Sequence, residues 1–192
     1  MDEKAICTWA KHDEYSRQYH DEEWCVPHFD DRYLFEMLIL EGAQAGLSWL
    51  TILKKREGYR QAFHNFDIDM CAALTDEELG SICETGDIIR NKLKIKSVRT
   101  NARVVQKIRE EYGSFAAYIW HFTNGQRVVN DLPEGAPLPA SSPLSETVSK
   151  DLKKRGAVFV GPVIIYSYLQ AAGVIDDHLN TCPFKNNSTL AK

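Results

Sequence analysis

The sequence predicts an all-α protein, and three observations carry that expectation. Apolar residues recur at the three-to-four spacing of a helix face through most of the chain. Helix start and stop signals punctuate these segments. Only Thr123 to Pro143 reads as a long loop, with four prolines and two glycines, and no segment alternates with the period of a strand.

In chain order, Asp30-Asp31 offers an N-terminal start to the helix that carries Glu41, and most of "FEMLILEGAQAGLSWLTILKKR", Phe35 to Arg56, reads as helix suited to a protein interior. Leu34, Leu38 and Glu41 fall at i, i+4 and i+7, so one apolar stripe ends in a carboxylate. An ionised carboxylate in such a setting costs several kcal/mol, roughly, unless a protein partner or a ligand compensates it. Thr75-Asp-Glu-Glu78 is a capping box that opens a short helix toward Cys83. Leu93, Val98, Val104, Val105 and Ile108 sit among charges, which predicts a surface helix ending near Gly113, and "SFAAYIWHF" follows as a shorter apolar helix. Ser142-Pro143 reads as an N-cap with proline at the first helical position. Leu144, Val148 and Leu152 form the next stripe, with Lys153-Lys154-Arg155 filling the last turn before Gly156. A further helix is expected from Pro162 through "VIIYSYLQAAG".

At 192 residues the chain suits one domain, or two small lobes sharing a core, over its whole length. Hydrophobic residues make up 44% and charged residues 26%, an ordinary balance for a soluble globular protein. No apolar run is long enough to span a bilayer, and "MDEKAICTWAKHDEY" lacks a signal-peptide core, so a cytoplasmic protein without membrane contact is expected; the sequence sets no oligomeric state, and a monomer suffices. The net charge of −4 neither advertises nor excludes a polyanion partner, because local basic patches decide nucleic-acid contact. Five scattered cysteines argue against a disulfide framework and leave metal ligation or buried thiols.

Three constellations carry chemistry. The Gly156–Gly161 turn between two helices can point backbone N–H groups outward at a phosphate, with Lys150, Lys153, Lys154 and Arg155 adding attraction to a DNA backbone. The plainer reading is a helical hairpin with a solvated basic end. Cys7 and His20 near one end of the chain, with His178-x-x-x-Cys182 near the other, form a set suited to a closed tetrahedral zinc site that would clasp both ends. Cys25 and His28 lie close enough in sequence to compete for a ligand role. Trp9, Tyr15, Tyr19 and Trp24 crowd the first 24 residues, and Trp49 follows Glu41. Such a cluster is ordinary core packing unless a carboxylate joins it; rings plus one anion make a receptor for a flat cation, with a cation–π gain of about 0.5–2 kcal/mol.

The ordered set "YHDEEWCVP", "LFEMLILEGAQAGLSWLTILKKRE", "GDIIRNKLKI", "LKKRGAVFVGP" and "DDHLNTC" closely resembles the bacterial type I 3-methyladenine-DNA glycosylases, from Cys7 to Cys182. The resemblance implies a helix-hairpin-helix DNA glycosylase fold of two helical lobes, with the hairpin at Gly156–Gly161. It implies one structural zinc on Cys7, His20, His178 and Cys182. It places Glu41 in the lesion pocket with Tyr19 and Trp49 as walls and Trp9 and Trp24 nearby. It makes Ala45-Gly46-Leu47 the wedge that fills the gap left by a flipped nucleotide in alkylated double-stranded DNA. The implied reaction is monofunctional hydrolysis of the N-glycosidic bond, since no lysine takes the hairpin position that forms a Schiff base in relatives. Two departures stand out: Cys25 occupies a position usually held by glycine, and Ser16 one usually held by tyrosine, with Tyr15 one place earlier. Asp176 and Asp177 lie where superfamily relatives keep a catalytic aspartate, though beside His178 they equally suit support of the metal site. A non-catalytic helix-hairpin-helix DNA-binding protein is the competing expectation, and it leaves Glu41 unexplained. A zinc hydrolase is disfavoured by a four-ligand set with no open position.

Overall fold

The computed structural model describes residues 6–185, so the ends of the expected 1–192 unit, including residues 1–5 of the stretch read for a leader, lie outside the described residues. After a 3-10 turn at Thr8–Lys11, the chain forms α1 (Glu14–Glu22), α2 (Asp31–Gln44), α3 (Trp49–Ala62), α4 (Ile68–Ala73), α5 (Asp76–Thr85), α6 (Lys92–Tyr112), α7 (Phe115–His121), α8 (Pro143–Lys154) and α9 (Pro162–Ala171). The helix starts follow the local chemistry of the sequence. Asp30 accepts from the Tyr33 N–H, Thr75 and Glu78 form the reciprocal capping box, and Ser142 caps α8 with Pro143 in its first turn.

α2 is buried along nearly its whole length, from Leu34 to Ala43, and packs against α3, α6, α7 and α9. A helix surrounded in this way needs apolar residues on nearly all sides, which is why Leu34 to Ala43 is apolar except for Glu36 and Glu41. One continuous buried cluster runs from Cys7 to Cys182, so whatever lobes the chain has share a single core.

Two expectations need correction. α6 is not simply a surface helix: Ile95, Val98, Ala102, Val105 and Ile108 are buried because α2, α4, α5 and α7 pack along it, while Leu93, expected among its apolar residues, is exposed. The structure also contains a parallel pair of two-residue strands, β1 (Val128–Val129) and β2 (Ile175–Asp176). Two residues are too few to show alternation, and the pairing is created only when the long loop reaches the end of α9.

α8 and α9 form the hairpin. Gly156 takes φ +96°, a left-handed conformation that a Cβ disfavours, and it ends α8. Asn101 of α6 pins the turn by accepting from the Val158 N–H at 2.9 Å and donating to the Val158 carbonyl at 3.0 Å. Ser149 adds a bond to the Val160 carbonyl at 2.6 Å. The turn is thereby a rigid platform.

Candidate functional site

Glu41 lies in the last turns of α2 with 4% of its surface exposed. Its Oε2 is buried and has no hydrogen-bond partner among the described residues. Burial pushes the carboxyl up to about 8, with no counter-charge to oppose it. Glu36, one and a half turns earlier, shows what a compensated carboxylate looks like: it accepts from Arg56 Nε at 2.8 Å and from Arg60 Nε at 2.8 Å. The same helix thus holds one satisfied acid and one waiting for a partner.

Glu41 borders a cavity of about 230 Å³ whose aromatic walls are Trp9, Tyr19, Trp24 and Trp49. Trp9 meets Trp24 edge-on with centroids 5.0 Å apart, and Tyr19 lies 5.1 Å from Trp49. The indole N–H groups of Trp9 and Trp49 are also buried without partners among the described residues. Unpaired buried polar atoms are rare, each costing about 1–3 kcal/mol, and here an acceptor and two donors belong to residues that line one cavity. All five residues singled out from the sequence for this pocket are brought together. Gln44, Leu138, Ser167 and Gln170 join them, and the sequence reading missed all four. The signal available for Gln170 was the one that found Glu41, a polar residue inside an apolar helix; nothing local marks Leu138, which comes from the long loop.

Beside the aromatic wall, Cys7, His20 and Cys182 bring ligand atoms within 4.8 Å of one another. Cys182 Sγ stands 3.6 Å from His20 Nε2, the separation of about 3.6 Å that ideal zinc–sulfur and zinc–nitrogen bonds would give along a tetrahedral edge. The hydrogen bond between the two thiols raises Cys7 and lowers Cys182, which favours one thiolate in the group. His20 Nδ1 is held by Asp21 at 2.7 Å and His178 Nδ1 by Asp176 at 2.8 Å, leaving the buried His178 Nε2 without a partner among the described residues. Carboxylates behind both imidazoles are the usual support of metal-binding histidines. His178 lies 4.9 Å from the His20 ring by centroid, but its tight group is with Cys25 and Asp176. His28 stays out of either group and stacks on Tyr33. The His178 ring also meets Trp24 at 4.7 Å, so the cluster buttresses the cavity wall.

Gly46 and Leu47 are exposed where α2 turns into α3, and Lys94 Nζ holds that turn by donating to the Ala43 and Ala45 carbonyls at 2.8 and 2.7 Å. Lys153 is exposed at the hairpin, but the Arg155 guanidinium is occupied by Glu111 and Asp151 and lies over the Tyr112 and Tyr118 rings. Among the described residues no helix is long and apolar enough to cross a membrane.

The family model described as methyladenine glycosylase matches residues 9–186. The chain belongs to that family. It is 41% identical over 181 residues to the DNA-3-methyladenine glycosylase of Haemophilus influenzae, covering 94% of this chain and 98% of that one. It is 43% identical over 176 residues to DNA-3-methyladenine glycosylase 1 of Escherichia coli, covering 92% and 94%. A solved structure of a 3-methyladenine DNA glycosylase I in complex with 3-methyladenine superposes with a TM-score of 0.90 at 35% identity, covering 94% of this chain and 97% of that one.

Within this methyladenine glycosylase the two sequence departures have structural readings. Cys25 takes φ +61°, which explains why glycine suits the position, since a side chain there costs roughly 1 kcal/mol. Its Sγ accepts from the Asp177 N–H at 3.4 Å. Ser16 is buried against Asp13, the N-cap of α1, while Tyr15 is 51% exposed and borders the neighbouring Arg56 cleft. Tyr15 therefore does not replace the missing tyrosine as a wall of the Glu41 cavity.

Proposed function

We propose that the chain excises 3-methyladenine from alkylated duplex DNA by hydrolysing the N-glycosidic bond, leaving an abasic site. The observation that carries this reading is the buried, unpartnered Glu41 carboxyl facing a cavity of four aromatic rings. A base inside a duplex is out of reach, so the nucleotide has to be extruded, at a cost of a few kcal/mol, roughly, and less for a damaged base. N3-alkylation makes adenine cationic and weakens its bond to the sugar. The aromatic faces take up the flat cation, and Glu41 supplies the counter-charge and accepts its N–H groups. Neutral adenine offers no charge to offset the ionisation of Glu41, which is selectivity by charge.

Glu41 acts first in recognition. The leaving base already carries positive charge, and that charge moves to the sugar in the transition state, so tight binding of the cationic base alone would not speed the reaction. A nearby carboxylate can also stabilise the developing sugar cation. Asp176 and Asp177 are both fully buried and engaged by protein donors, which favours support over a role as the base for water. Leu47, with Gly46 allowing the tight turn, fills the gap in the duplex. The Gly156, Ala157 and Val158 N–H groups are already bonded inside the protein, so the Phe159–Gly161 end of the turn and the Lys153 ammonium hold phosphates. Arg155 contributes to DNA binding only through the hairpin shape that it secures by its two carboxylate partners.

Cys7, His20, Cys182 and the Nε2 of His178 would hold one zinc ion, and its role would be structural. The ion would join the two ends of the fold and steady α1, which presents Tyr19 to the cavity one residue before His20. The protein is read as a cytoplasmic monomer. The test is release of free 3-methyladenine from alkylated duplex DNA by the purified protein, beside Glu41→Gln. Release by the wild type and its loss in the variant support the reading. DNA binding without any base release would favour a non-catalytic module, and undiminished release by the variant would remove Glu41 from its role.

A further inference from the structure

Gln170, 6% exposed, is a second buried polar residue bordering the Glu41 cavity with an unused atom. Its Nε2 donates to Asp177 Oδ2 at 2.6 Å. Asp177 is fully buried and accepts twice more, from the Tyr166 hydroxyl at 2.6 Å and from Asn130 Nδ2 at 2.6 Å. Asn130 also donates to the Tyr166 oxygen at 3.3 Å, so the network fixes the carboxylate from both α9 and the loop after β1. Tyr166 and Asn130 already donate to the two Asp177 oxygens, and the end of the Gln170 amide that meets Oδ2 is the NH2, which donates to an oxygen that serves as acceptor throughout this network. The reverse orientation would press two acceptor oxygens together. Gln170 Oε1 is left without a partner among the described residues, on a side chain that lines the cavity.

We infer that Gln170 is a specificity-determining residue for 6-amino purines, and that Asp177 is a positioning residue that fixes which end of the Gln170 amide the base meets. The inference rests on the glycosylase reading above and goes on to say which alkylated purine is preferred. Two acceptors, Glu41 Oε2 and Gln170 Oε1, match a base edge carrying an exocyclic amino group. A 6-oxo purine such as 3-methylguanine brings a lone pair to the same edge, where it meets oxygen and leaves the protein acceptors unpaired. Sites built to hydrogen-bond a substrate N–H reject analogues lacking it far more strongly than apolar pockets reject a change of size. Charge alone would not separate the two bases, since both are cationic when N3-methylated.

The experiment measures release of 3-methyladenine and 3-methylguanine from the same methylated duplex DNA by wild type, Gln170→Met and Asp177→Asn. Gln170→Met keeps the side chain's length and removes the acceptor. Asp177→Asn lets the Gln170 amide turn and present its NH2 to the cavity. The ratio of kcat/KM for 3-methyladenine over 3-methylguanine is expected to fall by about 10-fold or more in each variant, the loss of one hydrogen bond to a buried group. A purely structural role would lower both rates together; an unchanged ratio in Gln170→Met therefore overturns the inference, whether or not Asp177→Asn yields folded protein. A wild type that releases 3-methyladenine while the variants keep its ratio sinks only this inference. A wild type that releases neither base sinks the glycosylase reading, and this inference with it.

Discussion

Glu41→Gln is expected to make the protein more stable and less active, and the size of the first effect follows from its surroundings. Burial moves the carboxyl from 4.5 to about 8. At about 1.36 kcal/mol per unit, ionising Glu41 in the folded chain costs about 5 kcal/mol more than in the unfolded one. The folded state holds its proton where the unfolded state has released it, so stability falls as pH rises from 4.5 to about 8 and is level beyond. An amide carries no such dependence. Relative to wild type, Glu41→Gln should gain under about 1 kcal/mol at pH 5, about 3 kcal/mol at pH 7 and about 5 kcal/mol at pH 9. Urea unfolding of both proteins at the three pH values reads this difference. The slope with pH is the test, because the desolvation of the amide itself is constant with pH. Base release by the same variant should fall by about 10-fold or more, the loss of a charge-assisted hydrogen bond. A stability difference that stays flat between pH 5 and pH 9 would mean that Glu41 ionises freely in the folded protein, and the account of the pocket as a desolvated receptor would be wrong.

If Cys182 holds the proposed zinc, Cys182→Ser should abolish a stoichiometry of one zinc per chain in elemental analysis and lower the melting temperature. Base release per folded molecule should persist; a chelator that stops release while circular dichroism stays native would point instead to a metal in the chemistry. Gly173→Ala places a Cβ 2.1 Å from the Val26 carbonyl oxygen at φ +72°, where backbone has to move, so a loss of about 3 kcal/mol or more is expected in urea unfolding. Leu47→Ala, at an exposed position, should change stability by less than about 0.5 kcal/mol. Its release of 3-methyladenine from duplex DNA should fall relative to release from single strands, and equal losses on both substrates would remove Leu47 from the wedge role.

Much of the framework is set by short-range chemistry, and the sequence alone determines it. Asp30, Thr75 and Ser142-Pro143 start α2, α5 and α8 because the caps satisfy backbone N–H groups a few residues away. Gly156 ends α8 for an equally local reason, its left-handed φ. Glu41 announces itself as a carboxylate on an apolar stripe, and the aromatic residues crowd the first 24 positions, with Trp49 beyond Glu41, though only the fold brings Trp9, Tyr19 and Trp24 to Glu41. What only the tertiary structure decides is whether a polar group finds its partner. Glu36 and Glu41 share one helix, yet arginines from α3 reach Glu36 and none reaches Glu41. Arg155 reads as a free cation until Glu111, distant in sequence, arrives beside it. Gln170 becomes an acceptor facing the cavity only because Asp177 claims its NH2. Desolvation and hydrogen bonding depend on what the fold brings within about 3 Å, and a linear pattern carries no record of that distance.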